Sequence, residues 1–451
     1  MGKTSPRRHP VRFFSSPLVI PLGFGILIVA GGVLLLLPIA NRTGQMTSPL
    51  VAFFTATSAV TVTGLVLVNT ATYWSTFGQG VIFALVAIGG LGFMTTATFF
   101  LILVGQRITL PERLLMRESL TADRLGGLVR LTRQVVFMSI LIYLVGMGLF
   151  FWRFQQYFKG SDALWQSAFH AVSAFNNAGF DIVPQSASLA VYGVDYILLA
   201  IFAVLIILGG ISYTVLVELS RGRRFGRFSL DTKLVLVLSA VLWLLGTVVI
   251  FASEYGNGGT LGPFSLGGKV FTAFFHSVSA RTAGFSTMEM GSARDFTNLF
   301  VVGLMFIGGA AGSTAGGIKI NTFAVLLVAV YSSIRGRMEA EAFGREIPHF
   351  QVHRALAIAI LAFLLIGGVV LFFTLYEKDI PLPKLLFETV SAFGTVGLST
   401  GVTPQLSGVG KVVLLLTMFV GRLGPLTVAL MLAPGEKREV YRFVQERVKI
   451  G

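Results

Sequence analysis

Phe54-Thr55-Ala56-Thr57-Ser58-Ala59-Val60-Thr61-Val62-Thr63-Gly64-Leu65 decides the fold, because its skeleton returns three more times along the chain. The pattern is Phe-x-x-x-Ser-Ala, then a Gly standing before Leu or Phe. It recurs as Phe169–Ser173–Ala174 with Gly179, Phe275–Ser279–Ala280 with Gly284, and Phe387–Ser391–Ala392 with Gly397. The Phe-to-Ser step is four residues each time, while the Ser-to-Gly step runs six, six, five and six. The copies stand 115, 106 and 112 residues apart, and self-similarity at a near-fixed period fixes the architecture before anything else does. Close packing of small and aromatic residues between membrane helices accounts for one such copy. It does not account for four in register. Four short helices, each ending at a Gly turn, imply four equivalent turns meeting at one axis, which is a pore.

Composition agrees with a membrane setting. Of 451 residues, 54% are apolar and 12% charged, with a mean hydropathy of +0.81. A soluble domain carries about twice that share of charge. Apolar runs near or above the roughly 20 residues needed to cross a bilayer occur repeatedly. The net charge of +15 raises the question of nucleic acid, but the basic residues gather in short segments between apolar runs. Residues 3–12, 107–133, 221–233, 335–354 and 437–449 hold 24 of the 35. That alternation places both termini in the cytoplasm of a multi-pass protein of the cell membrane, facing the lipid bilayer and no nucleic acid. The absence of cysteine excludes disulfides, thiolate metal sites and Cys nucleophiles. The apolar run from Pro17 to Ala40 is too long for a signal peptide and is expected to remain as a first span.

The fold class expected is all-α integral membrane, with four span–pore-helix–span repeats around one pore. Residues 1–16 form a cytoplasmic N-terminus, 17–110 repeat 1, 129–220 repeat 2, 231–334 repeat 3, 353–432 repeat 4 and 433–451 a cytoplasmic tail. Full spans are expected over 17–39 and 75–105, 129–158 and 192–220, 231–252 and 295–334, 353–376 and 408–432. The half-spans lie at 48–60, 164–175, 266–280 and 384–393. Eight transmembrane helices and four re-entrant pore loops result. About 12 helical residues reach roughly 18 Å, half a membrane. Non-helical backbone at that depth survives only around a cavity or inside protein. The C-terminal end of each half-helix carries partial negative charge and favours a cation on the axis.

The four turns read Thr61-Val62-Thr63-Gly64, Asn176-Asn177-Ala178-Gly179, Arg281-Thr282-Ala283-Gly284 and Thr395-Val396-Gly397. The last comes close to the Thr-Val-Gly-Tyr-Gly filter of potassium channels, in which backbone carbonyls replace the ion's water. The first and fourth turns have one Gly where the channel has two, so fewer well-formed ion sites are expected.

With these turns the chain resembles the Trk/Ktr/HKT superfamily of potassium transporters, most closely its KtrB branch, from about Pro17 to Leu432. The family's filter glycines match Gly64, Gly179, Gly284 and Gly397. Relatives with Ser at the first position favour sodium, so Gly64 fits the potassium-selective pattern. The resemblance implies a homodimer of pores and a cytoplasmic KtrA-like regulatory ring that binds ATP or ADP. This chain carries no nucleotide motif, so any such cofactor belongs to the partner.

Gly308-Gly309-Ala310-Ala311-Gly312-Ser313-Thr314-Ala315-Gly316-Gly317 interrupts the second span of repeat 3, followed by Ile318-Lys319. Five glycines in ten residues do not hold a mid-membrane helix, although a Gly-rich packing face is the plainer alternative. The resemblance implies an intramembrane gating loop over 308–319. Arg422 lies inside an apolar run, and an intramembrane cation is costly and usually faces a polar interior. The family's pore Arg matches it; a local carboxylate partner or a snorkelling side chain are the alternatives. Arg281 and Glu388 are the other odd charges. Either they pair behind the filter, since buried charges need partners, or each contacts carbonyls or water separately.

His170 and His276 follow the motif Phe in repeats 2 and 3 and read as hydrogen-bonding residues of the half-helices. His349 and His353 are four apart but lack a third ligand nearby. No catalytic set is visible, so no enzyme is expected. Gated, channel-like potassium flux driven by the membrane potential is the expected function. A sodium-coupled or alternating-access carrier is the alternative, disfavoured because the repeats share one orientation.

Overall fold

The computed structural model describes residues 19–92, 95, 128–184, 188–222, 224–425 and 427–428. The expected cytoplasmic N-terminus and tail lie outside the described residues. The first quarter contains α1 (Val19–Leu36), α2 (Pro49–Val60) and α3 (Thr76–Leu91). The second contains α4 (Leu128–Phe154), α5 (Gly160–Phe175), α6 (Tyr196–Gly210) and α7 (Tyr213–Ser220). In the third come α8 (Leu230–Glu254), α9 (Leu266–Ser279), α10 (Asp295–Phe306) and α11 (Ile320–Ile334). A hairpin of β1 (Ala340–Ala342) and β2 (Arg345–Ile347) pairs antiparallel, Ala340 opposite Ile347. The last quarter has α12 (His349–Tyr376), α13 (Leu382–Gly394) and α14 (Gly408–Leu423).

Among the described residues, four single helices are long and apolar enough to cross a membrane: α1, α4, α8 and α12. Each opens its quarter. Their outer faces expose Ile26, Val29, Leu144, Leu244, Val248, Phe363 and Leu364, as expected where lipid is the solvent. The short helices α2, α5, α9 and α13 span 12, 16, 14 and 13 residues and sit inside the bundle. Pro49 stands in the first turn of α2, where its missing N–H costs nothing. Ser265 caps α9 by accepting from Gly268 N. The motif residues Phe54, Phe169, Phe275 and Phe387 are buried, so the repeated aromatic anchors each half-helix in the core.

Among the described residues the second helix of every quarter stops or bends within the span expected for it. This corrects an unbroken helix over 192–220 and places breaks inside 75–105 and 408–432, whose residues 96–105 and 429–432 lie outside the described residues. α3 stops at Leu91, with Gly92 at φ +83°. α6 and α7 meet at a 104° bend. α10 gives way at Ile307 to a loop that lasts until α11. α14 stops at Leu423, with Gly424 at φ +88°.

Glycine explains the close approach at three of these breaks. A Cβ at Gly89, Gly209 or Gly421 would collide with the carbonyl oxygen of Val60, Phe175 or Phe393 respectively. Those three residues lie at the end of the half-helix of the same quarter. Each of these three broken helices is therefore pressed against the C-terminal end of its own half-helix. α10 instead packs against α13 of the fourth quarter, where a Cβ on Gly394 would stand 2.6 Å from Met305 O.

Candidate ion-conducting site

The four turns close into a ring that follows chain order. A Cβ built on Gly64 would stand 2.9 Å from the Cα of Gly179, one on Gly179 3.3 Å from Gly284, one on Gly284 3.1 Å from Gly397, and one on Gly397 3.1 Å from Gly64. Each glycine also abuts the carbonyl oxygen just before the next: Ala178, Ala283, Val396 and Thr63 in turn. Only glycine permits that approach at the φ these positions adopt, +86°, +68°, +77° and +92°.

Two residues before each glycine the backbone is again left-handed, at Val62 (φ 56°), Asn177 (55°), Thr282 (76°) and Thr395 (49°). For β-branched residues this costs about 1–3 kcal/mol each and persists only where the surroundings enforce it.

The enforcement comes from the half-helix serines. Thr63, Ala178 and Val396 donate their N–H to the carbonyls of Ser58, Ser173 and Ser391, each at 2.8 Å. In the third copy Ala283 and Gly284 both donate to the carbonyl of Ser279, at 2.9 and 3.3 Å. Serine hydroxyls add a second rivet. Ser173, Ser279 and Ser391 donate to the carbonyls of Phe180, Phe285 and Leu398 at 2.6, 2.5 and 2.6 Å. The Ser58 and Ser391 hydroxyls accept from Gly64 N and Gly397 N at 3.0 and 3.2 Å. This is the physical role of the motif Ser, which its period signalled without revealing. In the third copy α9 ends on Ser279 itself, whereas α2 and α5 run two residues past theirs. The missing residue is taken from the helix end.

Peptide geometry then sets the carbonyls. No described peptide is cis, and C=O and N–H of a trans peptide point opposite ways. With the N–H groups turned to the half-helix, the carbonyls of Val62, Asn177, Thr282 and Thr395 turn away from it. Those of Thr63, Ala178, Ala283 and Val396 abut the neighbouring turn.

Beneath the ring lies the glycine-rich loop, non-helical as its composition dictates. Ile307 and Ile318 pair at its base, and Gly308 N donates to Ile318 O at 2.8 Å. Ala310 N donates to Gly210 O at 2.9 Å, and Tyr213 N donates to Gly312 O at 3.3 Å. The Thr314 hydroxyl donates to Gly209 O at 2.9 Å and reaches Phe175 O at 3.3 Å. Ser313 donates to Ala310 O at 2.6 Å, and Lys319 Nζ donates to Ala315 O. A Cβ on Gly316 would strike Thr395, and one on Gly317 would stand 3.1 Å from Gly394 Cα. The loop therefore touches the turn-bearing ends of the second and fourth half-helices.

Arg422 has no carboxylate partner among the described residues. Its guanidinium donates to Thr314 O of the loop, to Gly89 O at 2.6 Å and more weakly to Gly90 O at 3.4 Å. The freed carbonyls at the end of α3 are thus satisfied by a cation. One side chain clamps the loop to the first quarter from the fourth.

Arg281 and Glu388 do not pair, which corrects the pairing reading and leaves the separate-contact one. Arg281 Nη2 donates to Gly308 O at 3.0 Å, and its guanidinium lies 5.6 Å from the Trp243 ring. Glu388 instead ties down the strand leaving the fourth turn. It accepts from Ser399 Oγ and Thr400 N at 2.8 Å, from Thr400 Oγ1 at 3.0 Å and from Thr403 Oγ1. Four donors stabilise the buried carboxylate without a cation. His170 Nδ1 donates to Gln166 O at 2.8 Å, and His276 Nε2 accepts from Thr287 N at 3.2 Å, each within its own quarter. Tyr143 donates to the Asn176 side chain at 2.9 Å, a support with no sequence signal.

The family model TrkH, described as a cation transport protein, matches residues 24–441. The chain belongs to the TrkH family. Members of this family are integral membrane transporters, not enzymes. The Ktr system potassium uptake protein B of Bacillus subtilis is 40% identical to this TrkH-family chain over 427 residues, covering 95% of each. The potassium/sodium uptake protein NtpJ of Enterococcus hirae is 35% identical over 447 residues, covering 98% of each. The crystal structure of the potassium transporter TrkH from Vibrio parahaemolyticus is alike in fold, with a TM-score of 0.75 over 95% of this chain and 87% of that one at 18% identity.

Proposed function

We propose that this chain is the potassium-conducting subunit of a Ktr-type uptake system, with one pore formed by its four turns. The closed ring of Gly64, Gly179, Gly284 and Gly397 carries the reading. Potassium, the substrate, sheds water against the carbonyls of Val62, Thr63, Asn177, Ala178, Thr282, Ala283, Thr395 and Val396. Residues 308–319 form the barrier beneath them, clamped by Arg422. The likeness to a protein named for potassium uptake over nearly the whole chain supports that substrate.

Each quarter makes a span, a re-entrant half-helix and a second span broken at mid-membrane, giving eight crossings with both termini inside. The membrane potential drives the ion inward, worth about 2.3 kcal/mol per charge at 100 mV. Two such chains associate, and a cytoplasmic nucleotide-binding ring acts on the barrier from below. A relative named for potassium and sodium gives sodium passage a specific footing as a second reading.

Complementation tests the whole. Expression with the partner is expected to restore growth of a potassium-uptake-deficient bacterium at low potassium. Sodium uptake by these cells, with neither potassium uptake nor restored growth, would support the second reading.

A further inference from the structure

We propose that Asn321 is a positioning residue that latches the intramembrane loop closed by tying it to Asp231 at the start of α8. This rests on the reading of residues 308–319 as the barrier. Most other anchors of the loop reach parts that converge under the ring: Gly209, Gly210, Arg281 and Arg422. Asn321 works from the opposite end, in the first turn of α11. Its Oδ1 accepts from Ala311 N at 2.8 Å, and its Nδ2 donates to Asp231 Oδ1. The two bonds fix the amide's orientation, because flipping it would set N–H against N–H and oxygen against carboxylate.

Asp231 stands in the first turn of α8, where the helix dipole favours a carboxylate. Ser229 caps the same turn by accepting from Thr232 N at 3.2 Å. One amide therefore joins the middle of the loop, the start of α11 and the start of α8.

That junction is connected to the surface below it. Lys233, two residues beyond Asp231, is buried between the rings of Phe225 and Phe343, 5.8 and 5.7 Å from their centroids, and donates to Gly226 O at 3.1 Å. Phe343 lies at the tip of the β1–β2 hairpin that follows α11. Displacing the hairpin or the 225–227 segment shifts the turn that holds Asp231. The latch thus sets how firmly the loop stays under the ring, without touching the ring itself.

A residue swap tests it. Asn321→Asp alone places two carboxylates face to face and should break the latch. Adding Asp231→Asn restores an amide donor opposite a carboxylate acceptor, with Ala311 N still accepted. In proteoliposomes lacking any partner, N321D is expected to raise potassium flux about tenfold over the unmodified chain, with cation preference unchanged. The N321D/D231N pair should return flux to the starting level. Amide hydrogen exchange across 308–319 should rise and fall with it. Unchanged exchange in N321D, or a swap that fails to restore it, would overturn the latch. If the unmodified chain and all variants pass no potassium, the potassium-conducting reading fails, while the exchange data still decide the latch on their own.

Discussion

The guanidinium of Arg281 lies 3.0 Å from the carbonyl oxygen of Gly308, joining the residue that opens the third turn to the residue that opens the glycine-rich loop. A charge-assisted bond inside protein contributes about 1.5–3 kcal/mol. Arg281→Ala removes it together with the Trp243 contact. The expected outcome is a lower melting temperature in detergent and a weaker preference for potassium over sodium in flux assays. Arg281→Lys should recover part of the stability and less of the preference, because a point charge does not reproduce the planar fork.

A side chain at Gly64 has nowhere to go. Its Cβ would stand 2.5 Å from the Ala178 carbonyl oxygen, a contact that backbone must move to relieve. Gly64→Ser is expected to shift the potassium-over-sodium permeability ratio toward sodium by roughly tenfold, the effect of about 1.4 kcal/mol. Permeability ratios measured in proteoliposomes check this, and unchanged ratios would remove the filter assignment.

Deleting residues 310–316 removes the segment that Thr314 and Arg422 hold beneath the ring. Flux should rise in liposomes while protein level and dimerisation stay normal. A fall in flux under those conditions counts against the barrier.

Glu388 gathers three hydroxyls and one amide on a fully buried carboxylate. Glu388→Ala strands those donors and should destabilise the chain by more than about 3 kcal/mol. Glu388→Gln keeps one acceptor oxygen and should cost less. Thermal unfolding in detergent ranks the two, and equal losses would contradict the assigned contacts.

The repeat was legible because a period survives without any knowledge of contacts: Ser58, Ser173, Ser279 and Ser391 announce four like turns before their bonds are seen. The broken loop at 308–317 was legible because its glycines are clustered, where a packing face would space them. The bend between Gly210 and Tyr213 was not, since Gly209-Gly210 inside an apolar run reads equally as a packing face. What breaks the helix is tertiary, the docking of Ala310 and Thr314 on the freed carbonyls. The partners of Arg281 and Arg422 were hidden for a related reason. Backbone carbonyls accept hydrogen bonds at every position and leave no mark in the sequence. Two odd charges of opposite sign invite pairing, yet Glu388 found hydroxyls on its own side of the fourth turn.

The central claim is that the four turns hold a dehydrated potassium ion on their common axis. Anomalous diffraction from crystals soaked in thallium, a potassium substitute, locates such an ion directly. The expected result is a peak enclosed by the carbonyls of Val62, Thr63, Asn177, Ala178, Thr282, Ala283, Thr395 and Val396, weakened by excess potassium but not by excess sodium. Thallium bound elsewhere in the chain, with no peak between these carbonyls, would contradict it.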